Sequence, residues 1–191
     1  MMENRNIYDI DRENPGMQLL LDHPEIIESL FNSKIATIWP RDSIEQTVNG
    51  WDFTLENGLN IDLKSCIGPY KTDSNGNPIW YDQVCLSIKR NGKECALNKQ
   101  TDYWLMPLQT NPNYIQFITI SQPQLRYLTE IKKTTRPIMA GGKLQEMLIL
   151  NPDDSNITNH KLVWSVTNNR LERRVLTADE KWRNAIDSLI R

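Results

Sequence analysis

Between Gly50 and Ser65 the chain reads Gly-Trp-Asp-Phe-Thr-Leu-Glu-Asn-Gly-Leu-Asn-Ile-Asp-Leu-Lys-Ser, an apolar/polar alternation interrupted by Asn57-Gly58. Alternation with a period of two marks a half-buried strand and Asn-Gly marks a tight turn, so the segment predicts a β-hairpin. The two faces decide its register. A two-residue loop at Asn57-Gly58 pairs Phe53 with Asp62 and mixes carboxylate with apolar side chains on one surface. A three-residue loop, Glu56-Asn57-Gly58, ends on a residue free to adopt the left-handed conformation, and it pairs Leu55 with Leu59, Phe53 with Ile61 and Asp52 with Asp62. In that register Phe53, Leu55, Leu59, Ile61 and Leu63 face a core, while Asp52, Thr54, Asn60, Asp62 and Lys64 face away from it.

Like charges directly opposite one another destabilise a strand pair, so Asp52 and Asp62 require a compensating proton or cation. Mg²⁺ suits such a pair, because it accepts hard oxygen donors and is commonly bound by one or two carboxylates together with water and substrate phosphate. A metal so placed stabilises charge on a phosphoryl group in flight and lowers the pKa of a bound water. Lys64, two residues from Asp62 on the same face, is positioned to hold that water or the phosphate. The bland alternative is an exposed cross-strand ion pair worth roughly 0.2–1 kcal/mol.

Asp52, nine intervening residues and then Asp62-Leu63-Lys64 at the end of a hairpin resemble the motif of the PD-(D/E)XK nuclease superfamily, which includes many type II restriction endonucleases. The resemblance extends over roughly the first two thirds of the chain. It implies an α/β fold with a restriction-endonuclease-like core, a central mixed β-sheet flanked by helices. It also implies that Asp52 and Asp62 bind Mg²⁺, that the Leu63 carbonyl joins them, and that Lys64 assists the attacking water. Trp51 stands where the motif has proline, and Asp62 stands where glutamate is commoner. An upstream helical acid is frequent in such enzymes. Here Glu28 and Glu25 are the candidates, and Glu28 lies nearer the edge of the buried stripe formed by Ile26, Ile27, Leu30 and Phe31. Gln83, early in the following strand, is a further candidate.

The 191 residues suit one domain with a full core: a loose terminus over 1–15, a catalytic core over 16–135 and a C-terminal recognition or accessory segment over 136–191. A helix is expected over Pro24–Asn32 and a strand over Lys34–Trp39. Tyr81–Arg90, Asp102–Leu108 and Tyr114–Ile120 read as successive strands. Ser121 caps a helix reaching Lys133, and Lys161–Thr167 reads as a strand. Arg136–Gly142 reads as a break, and Thr177–Glu180 opens a final helix. Three cysteines without Cys-x-x-Cys spacing and no apolar N-terminal run suggest a reducing cytoplasm, and no apolar run is long enough to span a membrane.

Net charge is −2, which argues against a simple polybasic coat. The charge is unevenly placed: residues 1–100 hold 10 basic and 15 acidic side chains, and residues 101–191 hold 12 and 9. Lys132, Lys133 and Arg136, with Arg170, Arg173 and Arg174, are therefore the candidate contacts to a DNA backbone. Gly141-Gly142-Lys143 lacks the first glycine and the hydroxyl residue of a phosphate-binding loop. His23 and His160 are the only histidines, which leaves a zinc protease or a serine triad little material to work with.

These readings converge on a Mg²⁺-dependent DNA endonuclease, of the type II restriction kind, that cuts a short duplex site. Cutting both strands of a symmetric site implies a homodimer. The alternatives are a resolvase or repair nuclease on the same fold, a nuclease acting on RNA, and a non-catalytic DNA-binding accessory protein that keeps the nuclease-like core.

Overall fold

Ile35–Ile38 forms β1 and lies antiparallel to β2, Phe53–Leu55, which turns through Glu56-Asn57-Gly58 into β3, Asn60–Leu63. The three-residue register is the one adopted. Phe53 pairs with Ile61 and Thr54 with Asn60, and Gly58 takes φ +86°. The computed structural model describes residues 14–40, 43–131, 138–140, 143–151 and 161–175. Lys132, Lys133, Arg136, His160 and the expected final helix from Thr177 lie outside them.

Lys71–Thr72 and Pro78–Ile79, β4 and β5, make a separate short hairpin across the Asp73–Asn77 turn. Val84–Arg90 is β6, Lys93–Glu94 β7, Tyr103–Asn111 β8, Tyr114–Ser121 β9, Ile138–Ala140 β10, Lys143–Leu150 β11, Lys161–Ser165 β12 and Arg170–Val175 β13. Seven strands form one mixed sheet in the order β1-β2-β3-β8-β9-β12-β13, in which β3 and β8 run parallel and the other pairs antiparallel. Four others form an antiparallel sheet in the order β10-β11-β6-β7. The chain is thus α/β with a mixed sheet and, among the described residues, three helices: α1 Asn14–Asp22, α2 Glu25–Phe31 and α3 Gln122–Ile131. None is long and apolar enough to cross a membrane.

Alternation along the strands of the mixed sheet separates two cores. Phe53, Leu55, Ile61, Leu63, Leu105, Phe117 and Trp164 point to one face, where Met17 and Leu20 of α1 and Ile26, Ile27 and Leu30 of α2 cover them. Trp104, Met106, Leu108, Ile118 and Ile120 point to the other, against Leu86 and Ile88 of β6, Leu148 and Leu150 of β11, and Leu125 and Leu128 of α3. The Ser121 hydroxyl accepts the Gln124 amide at 3.3 Å, the expected cap of α3.

Two sequence expectations change here. Tyr81–Arg90 does not supply the next strand of the hairpin's own sheet: β6 starts at Val84 and pairs with β11, which brings the second sheet over the mixed one. The break at Arg136–Gly142 contains β10, and β10 to β13 are built into the same two sheets as the earlier strands. Among the described residues, strands before and after residue 136 thus share both sheets.

Phe53 is fully buried between β2 and the helical layer. Phe53→Ala is expected to cost about 3–5 kcal/mol in urea unfolding, and a loss below about 1 kcal/mol would contradict this packing.

Candidate functional site

Because Phe53 and Ile61 face the helices, Asp52, Asp62 and Lys64 face the second sheet. That face is covered, where the sequence placed it away from any core: Asp62 is 4% exposed. Its strand partner on β8 is Trp104. Asp62, Lys64, Trp104 and Lys99 line one cleft of about 330 Å³, together with Cys85, Ser87 and Arg90 of β6 and Gln145 and Met147 of β11. Among its lining residues Asp62 is the one carboxylate, facing three cations, Lys64, Arg90 and Lys99.

Asp52 lies one strand away, and its Oδ2 accepts the backbone N–H of Leu63 at 2.7 Å. The carboxylate thereby continues the ladder just ahead of the first residue of β2, and fixes itself beside Asp62. Its Oδ1 is approached by Gln46 Nε2 at 3.4 Å, from the π-helical turn Glu45–Asn49. Leu63 contributes its backbone to this corner, while its side chain is buried in the helical-side core.

Lys99 is the residue the sequence reading missed. Its Nζ binds Asp62 Oδ2 directly and lies 4.9 Å from the centre of the Trp104 ring. Several contacts deliver it there. Its backbone follows the 3-10 turn Ala96–Asn98, whose carbonyls at Ala96 and Leu97 accept Gln122 Nε2 at 3.0 and 3.2 Å. Gln122 also donates to the Lys99 carbonyl at 3.1 Å and accepts Trp104 Nε1 at 2.8 Å. Arg126 Nη2 donates to the Leu97 carbonyl at 2.6 Å, and the Gln100 amide reaches the Asn49 carbonyl at 2.9 Å. Gly50, at φ +83°, leaves room for the lysine stem, since a Cβ there would stand 2.6 Å from Lys99 Cγ. No motif marks Lys99. The only signal was the charge argument, which demands a cation beside the acid pair without saying where it comes from.

Burial pushes the Asp62 carboxyl well above the ordinary carboxylate range. The Lys99 ammonium opposes that rise, while the Asp52 charge, and a hydrogen bond between the two carboxyls, reinforce it. Burial likewise raises the Cys85 thiol, helped by the charge of Asp82 and opposed by the Gln83 hydrogen bond and the nearby Lys64.

The remaining sequence candidates are scattered. Glu28 pairs with Lys34 at 3.5 Å on the helical side of the mixed sheet, the face opposite Asp62, so α2 does not bring it to the cleft. Gln83 lines an adjoining cleft of about 420 Å³ that shares Lys64, Cys85 and Met147 with the first. Its amide faces Cys85 Sγ at 3.8 Å, and it stands near Lys64 rather than Asp62. Arg170, Arg173 and Arg174 lie on β13, the edge strand of the mixed sheet, four strands from β3 and so roughly 19 Å away across the ladder.

Two adjacent carboxylates and a neighbouring backbone suit an oxygen-seeking divalent ion that keeps much of its water. A third acid, histidine or cysteine does not join them, because among the described residues no cluster of three or more such side chains is found. No family model, curated protein or solved structure matches the chain. The nuclease resemblance therefore rests on the residues themselves.

The raised Asp62 carboxyl has a calculable sign. Its folded-state pKa lies above its ordinary 3.8, so in the pH window between the two values the folded protein binds more protons than the unfolded chain. The group's contribution to stability is complete below the unfolded value and is lost as pH climbs through the folded-state pKa. In EDTA, Asp62→Asn should therefore unfold at or above the wild-type midpoint at pH 7.5 and lose that advantage as pH falls to the ordinary carboxylate value. A midpoint well below wild type at pH 7.5 would contradict it. Gln122→Met removes the amide that ties Trp104 to the 96–99 turn, and should cost about 1–3 kcal/mol with faster amide exchange over residues 96–100. Unchanged exchange there would show that the amide does not hold the turn.

Proposed function

We propose that the protein is a Mg²⁺-dependent endonuclease with a restriction-endonuclease-like core, hydrolysing DNA phosphodiester bonds at a short duplex site and acting as a homodimer. One observation carries the reading: Asp62 and Lys64 open onto a single cleft that also holds Arg90 and Lys99, with Asp52 held on the neighbouring strand by the Leu63 amide. A cleft with three cations around one acid corner suits a phosphodiester, since the cations meet phosphate oxygens and the acids meet a metal.

In this reading Asp52 and Asp62 would hold the ion, beside the Leu63 backbone. Bound Mg²⁺ supplies a Lewis acid for the phosphoryl oxygens and acidifies its water. Lys64 orients the attacking water against the phosphorus and steadies charge as it develops on the phosphate. Arg90, which lines the cleft from β6, would pair with a flanking phosphate. Lys132, Lys133, Arg136, Arg170, Arg173 and Arg174 would meet the DNA backbone. Two copies related by a two-fold axis would present one such cleft to each strand.

A second reading has its own observation. Lys99 already neutralises Asp62, as it would in a non-catalytic DNA-binding protein that keeps the acid corner for structure. Incubating the protein with a long duplex DNA and Mg²⁺ separates the two. The endonuclease reading expects discrete fragments, no cleavage in EDTA, a fall of about 10²–10⁴-fold for Lys64→Ala and abolition for Asp62→Ala. Cleavage undiminished by Asp62→Ala would defeat it. Wild-type protein that retards DNA in a gel and cuts neither DNA nor RNA would favour the second reading.

A further inference from the structure

We propose that Lys99 is a built-in counter-ion, one that occupies the cation position of the Asp52/Asp62 pair and must leave Asp62 before a divalent metal can be bound there. This rests on the metal-dependent reading above and assigns that site a resident competitor. The two partners differ in freedom. The Asp62 side chain is 6% exposed and fixed in its strand, whereas the Lys99 side chain is 34% exposed and so can withdraw toward solvent.

The contact is not incidental to a mobile surface lysine. The backbone at residue 99 is held by the Gln122 amide, and the following residue is held by the Asn49 carbonyl. The stem runs past Gly50, where a larger residue would collide with Lys99 Cγ and Cδ, and the ammonium rests over the Trp104 ring. Trp104 is in turn fixed by its bond to Gln122. Backbone, stem and charge are thus all guided to one oxygen of Asp62.

An ammonium and a divalent ion cannot share that oxygen without repulsion, so lysine release and metal uptake are coupled. Lys99 moves off Asp62 while remaining in a cleft that also contains Lys64 and Arg90. There it adds a third cation for a phosphate. A phosphodiester bound in the cleft would hold the released ammonium, so metal and anion should bind with positive cooperativity.

The test is titration of Mn²⁺ into the DNA-free protein by calorimetry, with electron paramagnetic resonance counting the bound ions. Lys99→Met keeps the packed stem and removes the charge. It is expected to bind Mn²⁺ at least about tenfold more tightly than wild type, whereas Lys99→Arg stays near wild type and Asp62→Asn loses the site. Lys64→Met controls for the loss of any nearby positive charge and should tighten binding much less. If Lys99→Met proves unstable, Lys99→Gln makes the same comparison. Equal affinity for wild type and Lys99→Met, or equal tightening by Lys64→Met, overturns the counter-ion while leaving an Asp62-dependent metal site standing. Absence of Mn²⁺ binding in wild type and in the charge-removing variants Lys99→Met and Lys99→Gln overturns the counter-ion and the metal-dependent function together.

Discussion

The register of the β2–β3 hairpin is the constraint on which the rest depends. With Phe53 opposite Ile61, every apolar residue of the hairpin enters the helical-side core and both aspartates turn to the other face. A slip of one residue would exchange the faces, turning Asp62 toward Met17, Leu20 and Ile26 and turning Leu63 out of the helical-side core. Gly58 at φ +86° sets the register locally, and the amide of Leu63 bonded to Asp52 Oδ2 locks it at the open end. The turn and the acid corner are thus two ends of one device, because the geometry that closes the ladder also holds the carboxylates together.

What the second sheet adds is burial. β6 and β11 cover the face that carries Asp62, converting an exposed cross-strand pair, worth a fraction of a kilocalorie, into a desolvated group whose charge is costly. The fold offsets this with Lys99, and it devotes Gln122, Trp104, Arg126 and Gly50 to setting that lysine in place. A perturbed carboxylate with a built support around its counter-ion is the feature on which the proposed metal-binding role rests.

Local patterns made much of this legible in the sequence. The period-two alternation around Asn57-Gly58 specified the hairpin and its register. The apolar stripe of Ile26, Ile27 and Leu30 marked α2, and Ser121 marked the start of α3. Asp62 and Lys64 were correctly set on one face, because two residues along a strand must share it. What was missed depends on distant pairing. β6 reads as a strand, yet its partner β11 lies more than 50 residues on, so nothing nearby says that it leaves the hairpin's sheet and covers the acids. Lys99 sits in Asn98-Lys99-Gln100, a stretch without periodicity, and acquires meaning only when Gln122 and Trp104 draw its turn against β3. Glu28 shows the converse. Its helix was foreseen, but the side of the sheet on which the helix packs was not, and that side removes it from the cleft.

The central claim is that the Asp52/Asp62 corner is a divalent-cation site whose carboxylates hold one ion between them. Anomalous diffraction from crystals of the protein soaked in Mn²⁺ tests it most directly. The account predicts a single strong peak between the two carboxylates, within coordination distance of both, with Lys99 Nζ moved off Asp62. Crystals that take up Mn²⁺ elsewhere or not at all, with Lys99 still seated on Asp62 at saturating metal, would contradict it.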